Sequence, residues 1–258
     1  MSSRTLSAEM ERIASRKNPL IRDLRQLGRE KEARMRQGVF LCDGDKLLSE
    51  AIGNGARIRE IVFREGHEQP APEGVRAFVA SEDAFSFASP LVNSPGPLFT
   101  VEIPRWEDTV PPTSAVVLEN VQDPGNVGTV LRTAAALGCG AVILTGDCAD
   151  PYNPKTVRGA MGALFRQRLL QIPLEELAGT LRRWELPLYG AALSPESEDV
   201  RTLSLRRTAV AVGNEGKGLS REILALCDKK IILPMTPGSE SLNAAVAASI
   251  LMWEMCLK

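Results

Sequence analysis

From Ala115 onward the chain alternates short apolar runs with stretches of helical periodicity, and this rhythm limits what its 258 residues can fold into more than any other feature. The runs at 115–118, 141–144, 169–172, 188–191, 209–212 and 231–233 are expected as strands. Residues 127–137, 155–163, 174–184, 220–226 and 242–257 are expected as helices. Strands regularly separated by helices make a mainly parallel sheet covered on both faces. Ligands of such α/β sheets bind beyond the carboxyl ends of the strands, so the segments just after each apolar run are the places to look for chemistry.

Before that region lies a different pattern. Residues 1–38 are dense in Arg and Lys, with Leu20, Leu24 and Leu27 at helical spacing, which predicts a basic amphipathic helix. Basic side chains that displace counterions supply most nucleic-acid affinity, and Arg16, Lys17 and Arg22 are the candidates for RNA contact here. A small α/β unit follows: strands at 39–41, 58–63, 75–79 and 98–103, a helix at 45–54 with Gly55 placed to stop it, and a short helix at 81–87. The proline-rich, polar stretch 104–114 reads as a linker. Two domains are therefore expected, at 1–103 and 115–258.

Charge and rare residues exclude several classes. With 31 basic and 32 acidic residues the net charge is −1, so RNA binding must rest on where the charges lie. The cysteines (42, 139, 148, 227 and 256) are five in number and form no C-x-x-C pair, the pattern of reduced thiols in a cytoplasmic protein. The single histidine, His67, argues against a zinc centre and against Ser-His-Asp or Cys-His chemistry. No metal is expected. No run of apolar residues is long enough to span a membrane.

Three segments fall where an α/β protein places its site. In the first, Asn120 to Arg132, Asp123-Pro-Gly makes a turn, Asn126 is positioned to cap the following helix, and Arg132 offers the planar fork suited to phosphate. In the second, Val212 to Ser220, three glycines follow a strand and hold Glu215 among them. Its spacing is neither a P-loop nor a dinucleotide fingerprint. In the third, Ile232 to Ala247, a strand ends at Pro234, and Ser241 or Asn243 stands at the head of a helix rich in small residues that suits a subunit interface.

Asn126-x-Gly128 with Arg132, then Gly213-Asn-Glu215-Gly, then Pro234 with Ser241-Leu-Asn243, in this order, resembles the SpoU/TrmH family of the SPOUT RNA methyltransferases across residues 115–257. Asn18-Pro-Leu-Ile, Phe40, Gly44 and the stretch from Lys46 to Ala51 resemble the ribosomal-protein-like substrate-binding domain of many members, and add Lys46 to the RNA-contact candidates. The resemblance implies a trefoil knot, S-adenosylmethionine held by the knot's loops, and a homodimer with the last helix in the interface. It implies methyl transfer to a ribose 2′-hydroxyl in ribosomal RNA, with transfer RNA as the alternative substrate. Its functional positions fall on Asn126, Arg132, Glu215, Ser241 and Asn243. Arg132 would grip the phosphate beside the target ribose, because a guanidinium is a poor general base. Gly213, Leu233 and Leu242 would lie along the cofactor, with Thr145 and Leu193 nearby.

The chain departs from the family pattern at Asn93-Ser-Pro-Gly-Pro, at Arg158-Gly-Ala and at Ala244, none of which removes a proposed chemical group. Alternatives on the same residues are base methylation by a related knotted enzyme, a non-catalytic RNA-binding assembly factor, and nucleotide hydrolysis at the Gly213–Gly218 loop.

Overall fold

The computed structural model describes residues 10–107, 109–236 and 241–256. They divide into two compact units, one running to Pro104 and including Tyr152–Arg158, the other made of Arg105–Pro151 and residues from Gly159 onward.

The first unit contains β1 (Glu11–Ile13), α1 (Pro19–Arg29), α2 (Lys31–Gln37), β2 (Val39–Asp43), α3 (Asp45–Gly53), β3 (Ile58–Arg64), β4 (Arg76–Ala80), α4 (Glu82–Ala88) and β5 (Leu98–Glu102). Its sheet runs β1-β4-β3-β5-β2; β1 and β3 lie parallel to β4, and β5 is antiparallel to β3 and β2. The single basic helix expected at 1–38 is two helices. Asn18 caps α1, accepting from Leu20 N at 2.9 Å, with Pro19 in the first turn. The extended Glu30 separates α1 from α2. Ile21, Leu24 and Leu27 are buried, whereas Arg22 and Arg29 face out. The first nine residues of the basic stretch expected at 1–38 lie outside the described residues.

The second unit contains β6 (Ala115–Glu119), α5 (Pro124–Leu137), β7 (Ala141–Thr145), β8 (Leu169–Gln171), α7 (Leu174–Trp184), β9 (Leu188–Ala191), β10 (Glu198–Asp199), β11 (Ala209–Val212), α8 (Arg221–Leu226), β12 (Lys229–Ile232) and α9 (Ala244–Cys256); α6 (Pro154–Ala160), which follows β7 in the chain, belongs up to Arg158 to the first unit. The sheet order is β10-β12-β9-β11-β6-β7-β8 and every pairing is parallel, as the strand–helix rhythm requires. The central strands β6, β7 and β11 are buried along their whole length. On one face Trp184, Leu177 and Leu181 of α7 pack against Val117, Ile143 and Ala211. Each such aliphatic side chain contributes about 1.5–3 kcal/mol on full burial. Helices α5 and α9 pack together, with Ser249 Oγ donating to Thr133 Oγ1 at 3.3 Å.

Several boundaries differ from expectation. Helix α5 begins at Pro124, and its cap is Asp123, whose carboxylate accepts from Gly125 N at 2.5 Å. Asn126 is therefore inside the first turn and is not the cap, because proline occupies the position that follows one. The helix expected at 155–163 stops at Ala160, since Met161 and Gly162 both take left-handed backbone; a turn of 3₁₀ helix follows at Ala163–Phe165. Helix α9 starts at Ala244, after its cap, and the expected end at Leu257 lies outside the described residues.

Candidate cofactor and catalytic site

Three adjacent parallel strands, β12, β9 and β11, deliver their carboxyl ends to one place. The loops leaving them enclose a cavity of about 510 Å³, which the first turns of α9 also line. Its walls are backbone from Gly213 to Gly218 and aliphatic side chains, among them Leu193, Leu219, Leu233, Leu242 and Ala247. Glycine and aliphatic walls with a few polar groups suit a flat heteroaromatic ring bearing a polar tail, and the volume falls within the usual range for a ligand of that size.

Gly213 is the tightest point of this wall. A Cβ there would stand 2.2 Å from Gly218 C and 2.3 Å from Leu219 N, so only glycine lets the loop return across itself. The return is fixed by two backbone hydrogen bonds, Asn214 N to Gly218 O at 3.0 Å and Gly218 N to Asn214 O at 2.9 Å.

At the rim of the cavity a chain of polar groups links three loops. Asn243 caps α9, its Oδ1 accepting from Ala245 N at 2.9 Å and Val246 N at 3.3 Å. That leaves its amide to donate to Asn126 Oδ1 at 3.0 Å. Asn126 in turn donates to Glu215 Oε1 at 2.8 Å. The direction is forced, because an ionised carboxylate only accepts and backbone N–H only donates. Glu215 also accepts from Gln122 N and Asp123 N, both at 3.4 Å. Partial burial by itself would raise the pKa of this carboxyl. Hydrogen bonds from Asn126 and from the amides of Glu215, Asp123 and Gln122 outweigh it and leave the pKa below its ordinary value.

Of the five expected catalytic residues, Asn126, Glu215 and Asn243 are thus joined directly, and Ser241 lines the cavity with Glu215. Arg132 projects from α5 into solvent, and its guanidinium has no hydrogen-bond or ion-pair partner among the described residues. Of the expected cofactor residues, Leu193, Gly213, Leu233 and Leu242 line the cavity. Thr145 does not. It ends β7 with 2% exposure and an unpartnered hydroxyl, and its carbonyl accepts from Asn120 N. Residues the sequence reading passed over are Asn120 and Asn214, which tie the loops, and Lys217 and Met235, which line the cavity. The signal for Asn214 was a polar side chain inside a glycine loop read for its glycines and for Glu215.

In the first unit, Arg16, Lys17, Arg22 and Lys46 are all exposed. Arg16 is engaged by Asp83, at 2.7 Å from its Nε, and stands 5.5 Å from the Phe87 ring. The side chains of Lys17, Arg22 and Lys46 have no partner among the described residues. All five cysteines are free thiols. Among the described residues no helix is long and apolar enough to cross a membrane.

A family model described as the SpoU rRNA Methylase family matches residues 113–253, and one described as an MRM3-like substrate binding domain matches residues 18–96. The 23S rRNA (guanosine(2553)-2′-O)-methyltransferase RlmP of Bacillus subtilis is 33% identical over 248 residues, covering 95% of this chain and 99% of that protein. A crystal structure of an AdoMet-bound rRNA methyltransferase from Sinorhizobium meliloti matches with a TM-score of 0.85 at 27% identity, over 95% of this chain and 97% of that one. The SpoU methyltransferase AviRb from Streptomyces viridochromogenes, in complex with AdoMet, matches with a TM-score of 0.76 at 26% identity, over 92% and 97%.

Proposed function

The chain belongs to the SpoU rRNA methylase family and is an S-adenosylmethionine-dependent RNA 2′-O-methyltransferase of SPOUT fold, and from that premise we propose how its residues divide the work on ribosomal RNA. The carrying observation is the polar chain Asn243–Asn126–Glu215 standing at the rim of the 510 Å³ cavity. In this reading Leu193, Leu233 and Leu242 hold the adenine faces, and the Gly213–Gly218 backbone wraps the rest of the cofactor. When bound, the sulfonium supplies an electrophilic methyl group.

The 2′-hydroxyl is a weak nucleophile, so its placement is the main task. Arg132 holds the phosphate beside the target ribose. Its lack of a partner among the described residues supports this, since the fork is open to a substrate oxyanion. Glu215, ionised and held by four donors, braces Asn126. Asn126, Asn243 and Ser241 orient the ribose. The bound cofactor would supply the methyl group and leave as the neutral thioether S-adenosylhomocysteine, the hydroxyl proton passing to solvent water.

Arg16, Lys17, Arg22 and Lys46 on the first unit contact RNA phosphates; their exposure supports this, Arg16 exchanging Asp83 for phosphate. The enzyme works as a homodimer through α9. The support is an exposed apolar stripe of Val246, Ile250 and Trp253, 47%, 40% and 54% exposed, at positions i, i+4 and i+7. The site of action is the cytoplasm, where ribosomal RNA is assembled.

The test is incubation of the protein and methyl-labelled S-adenosylmethionine with RNA from cells lacking the gene. Label in ribosomal RNA alone is expected. Label in transfer RNA alone would refute the substrate assignment. No transfer to any RNA, with cofactor binding intact, would favour an assembly factor.

A further inference from the structure

We propose that Asn214 is a positioning residue for the methyl-donor site: its side-chain amide pins the cofactor loop to the end of β6 and sets where Glu215 points. The inference rests on the reading that this loop holds S-adenosylmethionine. Asn214 Oδ1 accepts from Gly216 N at 3.0 Å and Lys217 N at 3.1 Å, closing the turn from inside. Those donors demand an oxygen, so the amide nitrogen must face the other way, where it donates to Asn120 O at 2.8 Å and approaches Glu215 Oε2 at 3.4 Å. Asn120 is a junction in its own right. It holds a left-handed backbone at φ 54, and its Oδ1 accepts from Asp147 N at 2.7 Å, so the loops after β6, β7 and β11 meet on one residue. The far end of the cofactor loop is held by the neighbouring residue of the same strand. There Ser220 N donates to the buried carboxylate of Glu119 at 2.7 Å. Without the Asn214 amide, the Glu215 end of the loop keeps its own backbone pair and the donors that reach the Glu215 carboxylate from Asn126, Gln122 and Asp123, but loses its tie to the main chain at the end of β6.

Asn214→Asp isolates the pin. Aspartate keeps an oxygen for the two backbone donors but, when ionised, turns its second oxygen toward the Asn120 carbonyl and Glu215. Protonation restores one donor at that place. The ionisable groups on the loops that meet here are Glu215, Lys217, Glu119, Asp123, Asp147, Cys148 and Asp150. A carbonyl oxygen and a second carboxylate push the pKa of the new aspartate up, against the Gly216 and Lys217 amides, which pull it down, whereas Glu215 in the natural chain stays ionised because its pKa lies below the ordinary value.

The experiment is calorimetric titration of the full chain with S-adenosylmethionine at pH about 8 and about 5.5. The natural chain should bind alike at both. Asn214→Asp should bind about tenfold or more weakly at the higher pH and less weakly at the lower, as protonation restores the donor. Asn214→Ala should be weak at both. If Asn214→Asp bound normally at the higher pH, or lost as much as Asn214→Ala at both, the inference would be overturned. Should thermal unfolding show Asn214→Asp unfolded, Asn214→Ser keeps an oxygen for the turn but is too short to reach Asn120. Weak binding by that variant supports the pin, and normal binding overturns it. Failure of the natural chain to bind at all would overturn the underlying cofactor reading and the inference with it.

Discussion

Replacing Gly213 by alanine places a methyl group where no space exists. The new carbon would lie 2.2 Å from Gly218 C, and ordinary contact begins at 3.4 Å, so backbone on the far side of the loop must retreat by about 1.2 Å. The obstacle is main chain, which cannot swing aside as a side-chain tip does. A retreat of that size breaks the reciprocal pair between Asn214 and Gly218, at 3.0 and 2.9 Å. Two backbone hydrogen bonds at about 0.5–1.5 kcal/mol each amount to about 1–3 kcal/mol, and at about 1.4 kcal/mol per tenfold this weakens cofactor binding by roughly 5- to 150-fold. Gly216 in the same loop is the internal control. A Cβ there meets only Asn214 Oδ1, at 3.7 Å, and no left-handed backbone is involved. Calorimetry with S-adenosylmethionine should find Gly213→Ala much weaker and Gly216→Ala within about twofold of the natural chain. Equal affinity for Gly213→Ala and the natural chain would refute the steric reasoning.

Asn126→Asp sets two carboxylates against each other at the rim, and turnover should fall by about 10- to 100-fold while cofactor affinity, measured by titration, stays near normal. Glu215 has a depressed folded pKa, so its contribution is present above its ordinary value of 4.5 and is lost only as pH falls through the lower folded value. Thermal stability should therefore show no Glu215-dependent decline between pH about 8 and about 5, judged by the difference between the natural chain and Glu215→Gln; a Glu215-dependent step near pH 6 would contradict this. Trp253→Glu should convert a dimer to a monomer by light scattering, since it puts a charge into the α9 stripe; an unchanged mass would place the interface elsewhere.

Much of the second unit was legible because buried parallel strands are continuous apolar runs. Ala141–Thr145 and Ala209–Val212 have no polar face to confuse the reading. The strands that escaped notice are short edge strands with polar residues: Glu11–Ile13 and the two-residue Glu198–Asp199, set by pairing with β4 and β12 and not by local pattern. The cap of α5 was present in the sequence, as Asp before Pro, yet Asn126 was the more conspicuous cap former. The glycine loop announced a site, but which glycine is indispensable is visible only in the return of the backbone over Gly213. Thr145 shows a different limit: it stands at the end of a central strand, as a site residue would, but burial of its side chain is set by packing that the sequence does not display.

The most direct test of the central claim is to digest the labelled ribosomal RNA to nucleosides and fragment the methylated nucleoside at its glycosidic bond in a mass spectrometer, with Arg132→Ala run alongside. The methyl group should leave with the ribose, and Arg132→Ala should lower its amount by about 10- to 100-fold while still binding the cofactor. A methyl group retained on the base, or undiminished ribose methylation by Arg132→Ala, would contradict the account.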